Sequence, residues 1–170
     1  MRSIDTSRSI AISSPKNVPN EQPPADPPVA PARSALMARV GPRDTLPEMV
    51  VRRLLHAMGN RFRLHRRDLP GTPDIVLPGA RKAIFVHGCF WHRHPGCPKA
   101  TTPKTRREFW REKFDRNVER DRRKEVELRQ AGWDVLTIWE CETRDTVALE
   151  KNLRDWLASS IPKEARLPVG

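Results

Sequence analysis

The sequence predicts a small mixed α/β domain, a short β-sheet flanked by helices, with a structural zinc site at the sheet's edge. Three observations lead there. Hydrophobic periodicity changes along the chain in the order α-β-β-β-α-β-α, which suits a mixed sheet covered by helices. At 170 residues there is room for one domain with a single core. Three of the five histidines and two of the three cysteines fall within the eleven residues from His87 to Cys97, just beyond an apolar run.

Taken in order, residues 1–34 hold seven of the seventeen prolines with no period, which denies the backbone its donors and predicts a disordered tail. The domain is expected over residues 35–160, with 161–170 a C-terminal tail. Ser34 to Val40 includes a possible helical turn, Ala-Leu-Met-Ala-Arg-Val. Thr45-Leu-Pro-Glu48 has the spacing of a capping box with a proline in the first turn. Val50, Val51, Leu54, Leu55 and Met58 then share one face, and Gly59 ends that helix. Phe62-Arg63-Leu64 alternates like a short strand. After the loop Asp68 to Pro73 come two apolar strands, Ile75–Leu77 and Ala83–Val86, joined at Pro78-Gly79. A long helix is expected from Lys104 to Ala131, with Phe109, Trp110, Phe114 and Val118 on a buried side and a wholly charged stretch from Glu119 to Glu125 on a solvated or polyanion-facing side. Asp134 to Trp139 is a strand, and a last helix carries Val147, Leu149, Leu153, Trp156 and Leu157.

Charge narrows the function. The chain has 32 Lys+Arg against 21 Asp+Glu, a net +11, and residues 1–34 carry only +1 of it. The domain therefore suits a polyanionic partner. No apolar run is long enough to span a bilayer, and the start lacks a secretory pattern, so a cytoplasmic location without membrane attachment is expected. An odd number of cysteines, two of them among histidines, fits a thiolate–metal site in a reducing compartment better than disulfides.

Zinc takes four tetrahedral thiolate or imidazole ligands. Cys89, Cys97 and Cys141 supply three and a histidine the fourth; spacing leaves His92 and His94 both open. Asp74, leading a strand, reads by itself as a turn residue. With His87 on the next strand and His92 beyond it, it reads instead as the carboxylate that a nuclease uses to hold Mg²⁺ on a phosphate, with imidazoles to manage protons. Glu48 is explained equally by its capping box and by a place in the metal shell. Phe90-Trp91 cannot both face a core from one strand, so one or both are expected to be exposed, as wedges against base steps or as packing for the zinc loop.

Four motifs in order, Pro73-Asp-Ile-Val76, the stretch Phe85 to Cys97, Glu108 to Asp121 and Gly132 to Cys141, resemble the very short patch repair endonucleases, bacterial DNA mismatch endonucleases. The resemblance covers about residues 36–145. It implies a restriction-endonuclease-like fold that nicks one strand 5′ to the T of a T:G mismatch left by deamination of 5-methylcytosine. It further implies that Asp74 and the carbonyl of Val86 bind catalytic Mg²⁺, with Glu48 in the outer shell through water. His92 would be the base and His87 would assist at the phosphate. Structural Zn²⁺ would be held by Cys89, His94, Cys97 and Cys141. Phe90, Trp91 and Trp110 would form an aromatic wall at the mismatch, Met37 would enter from the other groove, and Lys113 and Asn117 would contact the target bases. The implied enzyme works as a monomer on double-stranded DNA at the nucleoid, alongside mismatch-repair proteins. The chain departs from the family pattern at Val86, where Thr is familiar, and in one extra residue between His94 and Cys97. The competing readings are a restriction-like nuclease of other specificity and a non-catalytic zinc-stabilised DNA-binding module; the latter has no use for Asp74, His87 and His92.

Overall fold

The protein is described here from a computed structural model, over residues 43–159. Met37, the 34–40 segment and both expected tails lie outside those residues. Helix α1 (Leu46–Ala57) starts where the sequence places it: Thr45 accepts from the Glu48 N–H, Glu48 reaches back to the cap, and Pro47 stands in the first turn. Met58 caps its end and Gly59 follows at φ 76°. Strand β1 (Arg63–Leu64) pairs antiparallel with β2 (Ile75–Leu77), Leu64 opposite Ile75. A 3₁₀ turn at Pro78–Ala80 leads to β3 (Lys82–His87), antiparallel to β2. Helix α2 (Arg107–Gln130) crosses over to β4 (Asp134–Trp139), which runs parallel to β3 with His87 opposite Trp139. Helix α3 (Thr146–Ala158), capped by Asp145, ends the described chain. The result is a four-stranded mixed sheet, ordered β1-β2-β3-β4, with three helices.

The pleat divides the core. Ile75, Leu77, Ile84 and Ile138 pack with Val51 and Leu55 of α1 and Leu149 and Leu153 of α3. Ala83, Phe85 and Val135 face Leu128 of α2 on the other side. Alternation along β3 therefore sends Ala83, Phe85 and His87 toward α2, and Ile84 and Val86 toward α1 and α3. Gly71, in the loop before β2, shows how closely α2 lies: a Cβ there would come 2.9 Å from Cβ of Lys124 and 3.1 Å from Phe85. At the far end of β3, the buried Lys82 ammonium ties β4 and α3 together, 2.6 Å from Asp134 and 2.7 Å from the Trp156 carbonyl.

Several positions differ from expectation. Phe109 and Val118 are 41% and 43% exposed, so of the four proposed core positions in α2 only Phe114 is buried. The first half of α2 is covered by the short 88–106 segment, not by a sheet, and a narrow cover buries a narrow stripe. Val147 is 80% exposed because it stands two residues, about 200° of helical turn, from Leu149, which faces the core. Phe90 and Trp91 are both half-buried, correcting the expectation that at least one is exposed.

Candidate active site and metal cluster

Asp74 leads into β2 beside β3, and its Oδ2 accepts the Val86 N–H at 2.8 Å. The carboxylate is thereby fixed to the strand that carries His87 one residue on. Burial, reinforced by the neighbouring Glu48 charge, raises the Asp74 carboxyl to about 6. A group that resists ionising when buried gains most from a cation placed against it. A hard oxygen donor of this kind suits Mg²⁺.

His87 points toward α2 and stacks on His92, ring centroids 3.9 Å apart and nearly parallel. Burial, with His92 beside it, depresses the His87 imidazole to about 3, so it is neutral near pH 7. His92 has a different anchor: its Nδ1 lies 2.5 Å from Oδ2 of Asp121 on α2. Burial pushes Asp121 upward, but hydrogen bonding and charge from His92 outweigh it and hold the carboxyl below its ordinary value. With Nδ1 on a carboxylate, Nε2 of His92 is left to accept a proton. His87, His92 and Asp121 line a cavity of about 380 Å³ together with Arg93, Arg120 and Lys124.

Asp121 escaped the sequence reading because it sits inside an all-charged run that looks solvated. Its position seven residues after Phe114 and four after Asn117 puts it on their face of the helix, and that spacing was the available signal.

The three cysteines converge with His94, the donor atoms lying within 4.8 Å of one another. Nδ1 of His94 is 3.3 Å from the Cys141 sulfur and 3.7 Å from the Cys89 sulfur. The edge of a zinc tetrahedron between sulfur and nitrogen is about 3.6 Å by its bond lengths, so the donor set fits Zn²⁺. Parallel pairing of β3 and β4 makes this possible, since it delivers Cys89 and Cys141 from two adjacent strand ends. Burial pushes the Cys89 thiol up to about 12, whereas the Lys99 N–H holds Cys97 below its ordinary value. Collecting three thiolates there calls for a cation. Among the two histidines left open by spacing, His94 lies with the sulfurs and His92 with Asp121.

Glu48 is nearly buried, and both its oxygens are occupied. Oε1 accepts from the Thr45 hydroxyl at 2.9 Å, and Oε2 accepts from Arg52 at 2.7 Å. Between Glu48 and Asp74 stands His65, 3.8 Å from an oxygen of each. The sequence offers no local signal for His65, because only strand pairing brings it there.

Phe90, Trp91, Trp110 and Phe114 form one aromatic group in which Phe90 meets the other three edge to face, 5.2 Å from Phe114 and 5.9 Å from Trp110. Their packing on α2 half-buries the Phe90-Trp91 pair. Lys113 holds its ammonium 5.1 Å over Trp91 and 5.3 Å over Trp110, and Asn117 donates to the Trp91 carbonyl at 3.2 Å. The structure thus gathers five of the six expected DNA-contacting residues at one end of α2, with Met37 outside the described chain. Among the described residues, no helix is long and apolar enough to cross a membrane.

A family model described as DNA mismatch endonuclease Vsr matches residues 27–99. The chain is 52% identical over 128 residues to a type II nicking enzyme, V.XorIIP, of Xanthomonas oryzae, covering 75% of this chain and 93% of that one. It is 44% identical over 130 residues to the DNA mismatch endonuclease Vsr of Escherichia coli, covering 74% of this chain and 83% of that one. A type II nicking enzyme of Neisseria meningitidis, V.NmeAIP, is 39% identical over 121 residues, covering 71% and 86%.

Proposed function

Because this chain belongs to the Vsr family of DNA endonucleases, we propose that it is a Mg²⁺-dependent endonuclease that nicks one DNA strand 5′ to the T of a T:G mismatch. One observation carries the reading: Asp74 is bound to the backbone of Val86, next to His87, which stacks on a His92 already paired with Asp121. This supports reading Asp74 as a cation-binding carboxylate tied to the strand of His87, and His92, stacked on His87 and held by Asp121, as the general base.

Asp74 and the Val86 carbonyl would hold Mg²⁺, which supplies Lewis-acid stabilisation of charge on the scissile phosphate. Only the carbonyl of Val86 takes part, so a valine serves there as well as a threonine. Asp121 fixes the tautomer of His92, so that Nε2 takes the proton from the attacking water. His87, neutral, has one N–H to offer a phosphate oxygen. Glu48 supports the site from one remove. The Cys89, His94, Cys97 and Cys141 cluster would hold structural Zn²⁺ and keep the histidine loop in place. Phe90, Trp91 and Trp110 would stack at the mismatch, with Lys113 and Asn117 at the target bases and Met37 in the opposite groove. The mixed sheet and its helices accord with a restriction-endonuclease-like fold. Such an enzyme acts as a monomer in the cytoplasm, at the nucleoid, with mismatch-repair proteins.

The test is nicking of a labelled T:G duplex against its T:A control, with Mg²⁺ or EDTA, across a panel of flanking sequences. Cleavage confined to T:G with Mg²⁺ is expected. Equal cutting of T:A would make it a nickase of other specificity, and binding with no cutting in any duplex would leave only a DNA-binding module.

A further inference from the structure

His65 is an imidazole that the nuclease chemistry leaves without a role, although it lies between Glu48 and Asp74. The β1–β2 register, Leu64 opposite Ile75, sets it across from Asp74, whose carbonyl accepts the His65 N–H at 3.2 Å. Its φ of 46° lies in the left-handed region, which a residue with a side chain keeps only where its surroundings over-determine it.

The ring is clamped from the opposite side. Arg52, 8% exposed in the middle of α1, binds Asp44 at 2.5 Å and Glu48 at 2.7 Å. Its Nη2 also lies 3.1 Å from Nε2 of His65. A guanidinium only donates, so Nε2 must accept, and the ring proton resides on Nδ1. Nδ1 is the nitrogen that faces Oδ1 of Asp74, at 3.8 Å. The other carboxylate oxygen, Oδ2, is held by Val86. Arg52 keeps this pose at a cost, since its buried Nε has no hydrogen-bond partner among the described residues. Glu48 cannot take the place of His65, with its Oε1 on Thr45 and its Oε2 on Arg52.

We propose that His65, its tautomer set by Arg52, is a positioning residue for Asp74, fixing the direction in which Oδ1 is offered to a divalent cation. The 3.8 Å gap exceeds a hydrogen bond. The ring therefore acts by filling the space into which the carboxylate would turn and by presenting an N–H dipole to Oδ1. The same tautomer excludes His65 as a metal ligand through Nδ1. This inference rests on the reading of Asp74 as a metal ligand.

The experiment measures Mn²⁺ binding to the full-length protein on a T:G duplex, from the loss of the free-Mn²⁺ resonance signal. Residues that orient a ligand from behind are worth about tenfold or more in metal affinity. His65→Ala should weaken Mn²⁺ binding by that factor and raise the Mg²⁺ needed for half-maximal nicking in parallel. His65→Gln, whose amide N–H reaches the same space, should recover most of the loss. Duplex binding in EDTA should match the wild type in both. Asp74→Asn is the control: if it binds Mn²⁺ as well as the wild type, the metal is elsewhere and the parent reading fails. If Asp74→Asn loses Mn²⁺ while His65→Ala keeps wild-type affinity, the positioning role is overturned. A loss in His65→Ala that His65→Gln does not recover also overturns it.

Discussion

Asp74 is hydrogen-bonded to Val86, the residue before His87, and burial pulls the proton affinities of Asp74 and His87 in opposite directions. Asp74 is raised to about 6 and His87 lowered to about 3. A carboxyl that keeps its proton longer when folded loses stability as pH climbs from about 4 to about 6, and above that it costs on the order of 3 kcal/mol. His87 has the other sign: its contribution is complete above about 6.5 and fades as pH falls toward 3. Between pH 4 and 6 the two slopes oppose each other. Asp74→Asn should therefore raise the unfolding free energy at pH 7 by up to ~3 kcal/mol while abolishing nicking. Below pH 6 the variant's stability should rise more steeply with pH than the wild type's, because the His87 slope stands alone. Urea melts at three pH values check both statements, and a variant less stable at pH 7 contradicts them. In the wild type, the acid side of the nicking profile should move to lower pH as Mg²⁺ is raised, because cation and proton compete for Asp74.

At the level of elements, β4 links the Cys/His cluster to the stacked His87–His92 pair. Trp139 ends the strand two residues before Cys141, stacks on His94 at 4.3 Å and meets His87 edge-on at 5.6 Å. Cys141→Ala should release the zinc, by elemental analysis, and lower both Tm and nicking, since it removes the ligand that joins β4 to the histidine loop. A variant with full zinc content and wild-type melting would show that the cluster does not bind the ion through Cys141. The elements themselves were largely legible in the sequence. The capping box placed α1, and the α2 observed at Arg107–Gln130 lies within the expected 104–131. Burial within them was less legible, as Phe109, Val118 and Val147 show, because periodicity identifies a face without revealing whether a neighbour covers all of it.

Over the whole molecule, the net charge of +11 predicts strongly salt-dependent duplex binding. The family match begins at residue 27, inside the expected 1–34 tail, so the first 26 residues are the part to remove. Those residues carry three basic and three acidic groups. Deleting residues 1–26 should leave T:G nicking and the salt slope of binding nearly unchanged. A clear drop in the slope would assign the tail a share of the phosphate contacts.

By itself the sequence determined the order of elements, the basic character, three candidate zinc thiolates with His92 and His94 both open beside them, and the Asp74–His87–His92 series, because each is written in local spacing and composition. Only the tertiary structure paired Asp121 with His92 and set His65, clamped by Arg52, between Glu48 and Asp74, and it brought His94, not His92, to the sulfurs. The reason is physical: strand pairing joins residues far apart in the chain. Parallel β3–β4 registration brings position 141 to position 94, and antiparallel β1–β2 registration brings position 65 to position 74. No periodicity within a single segment encodes either meeting.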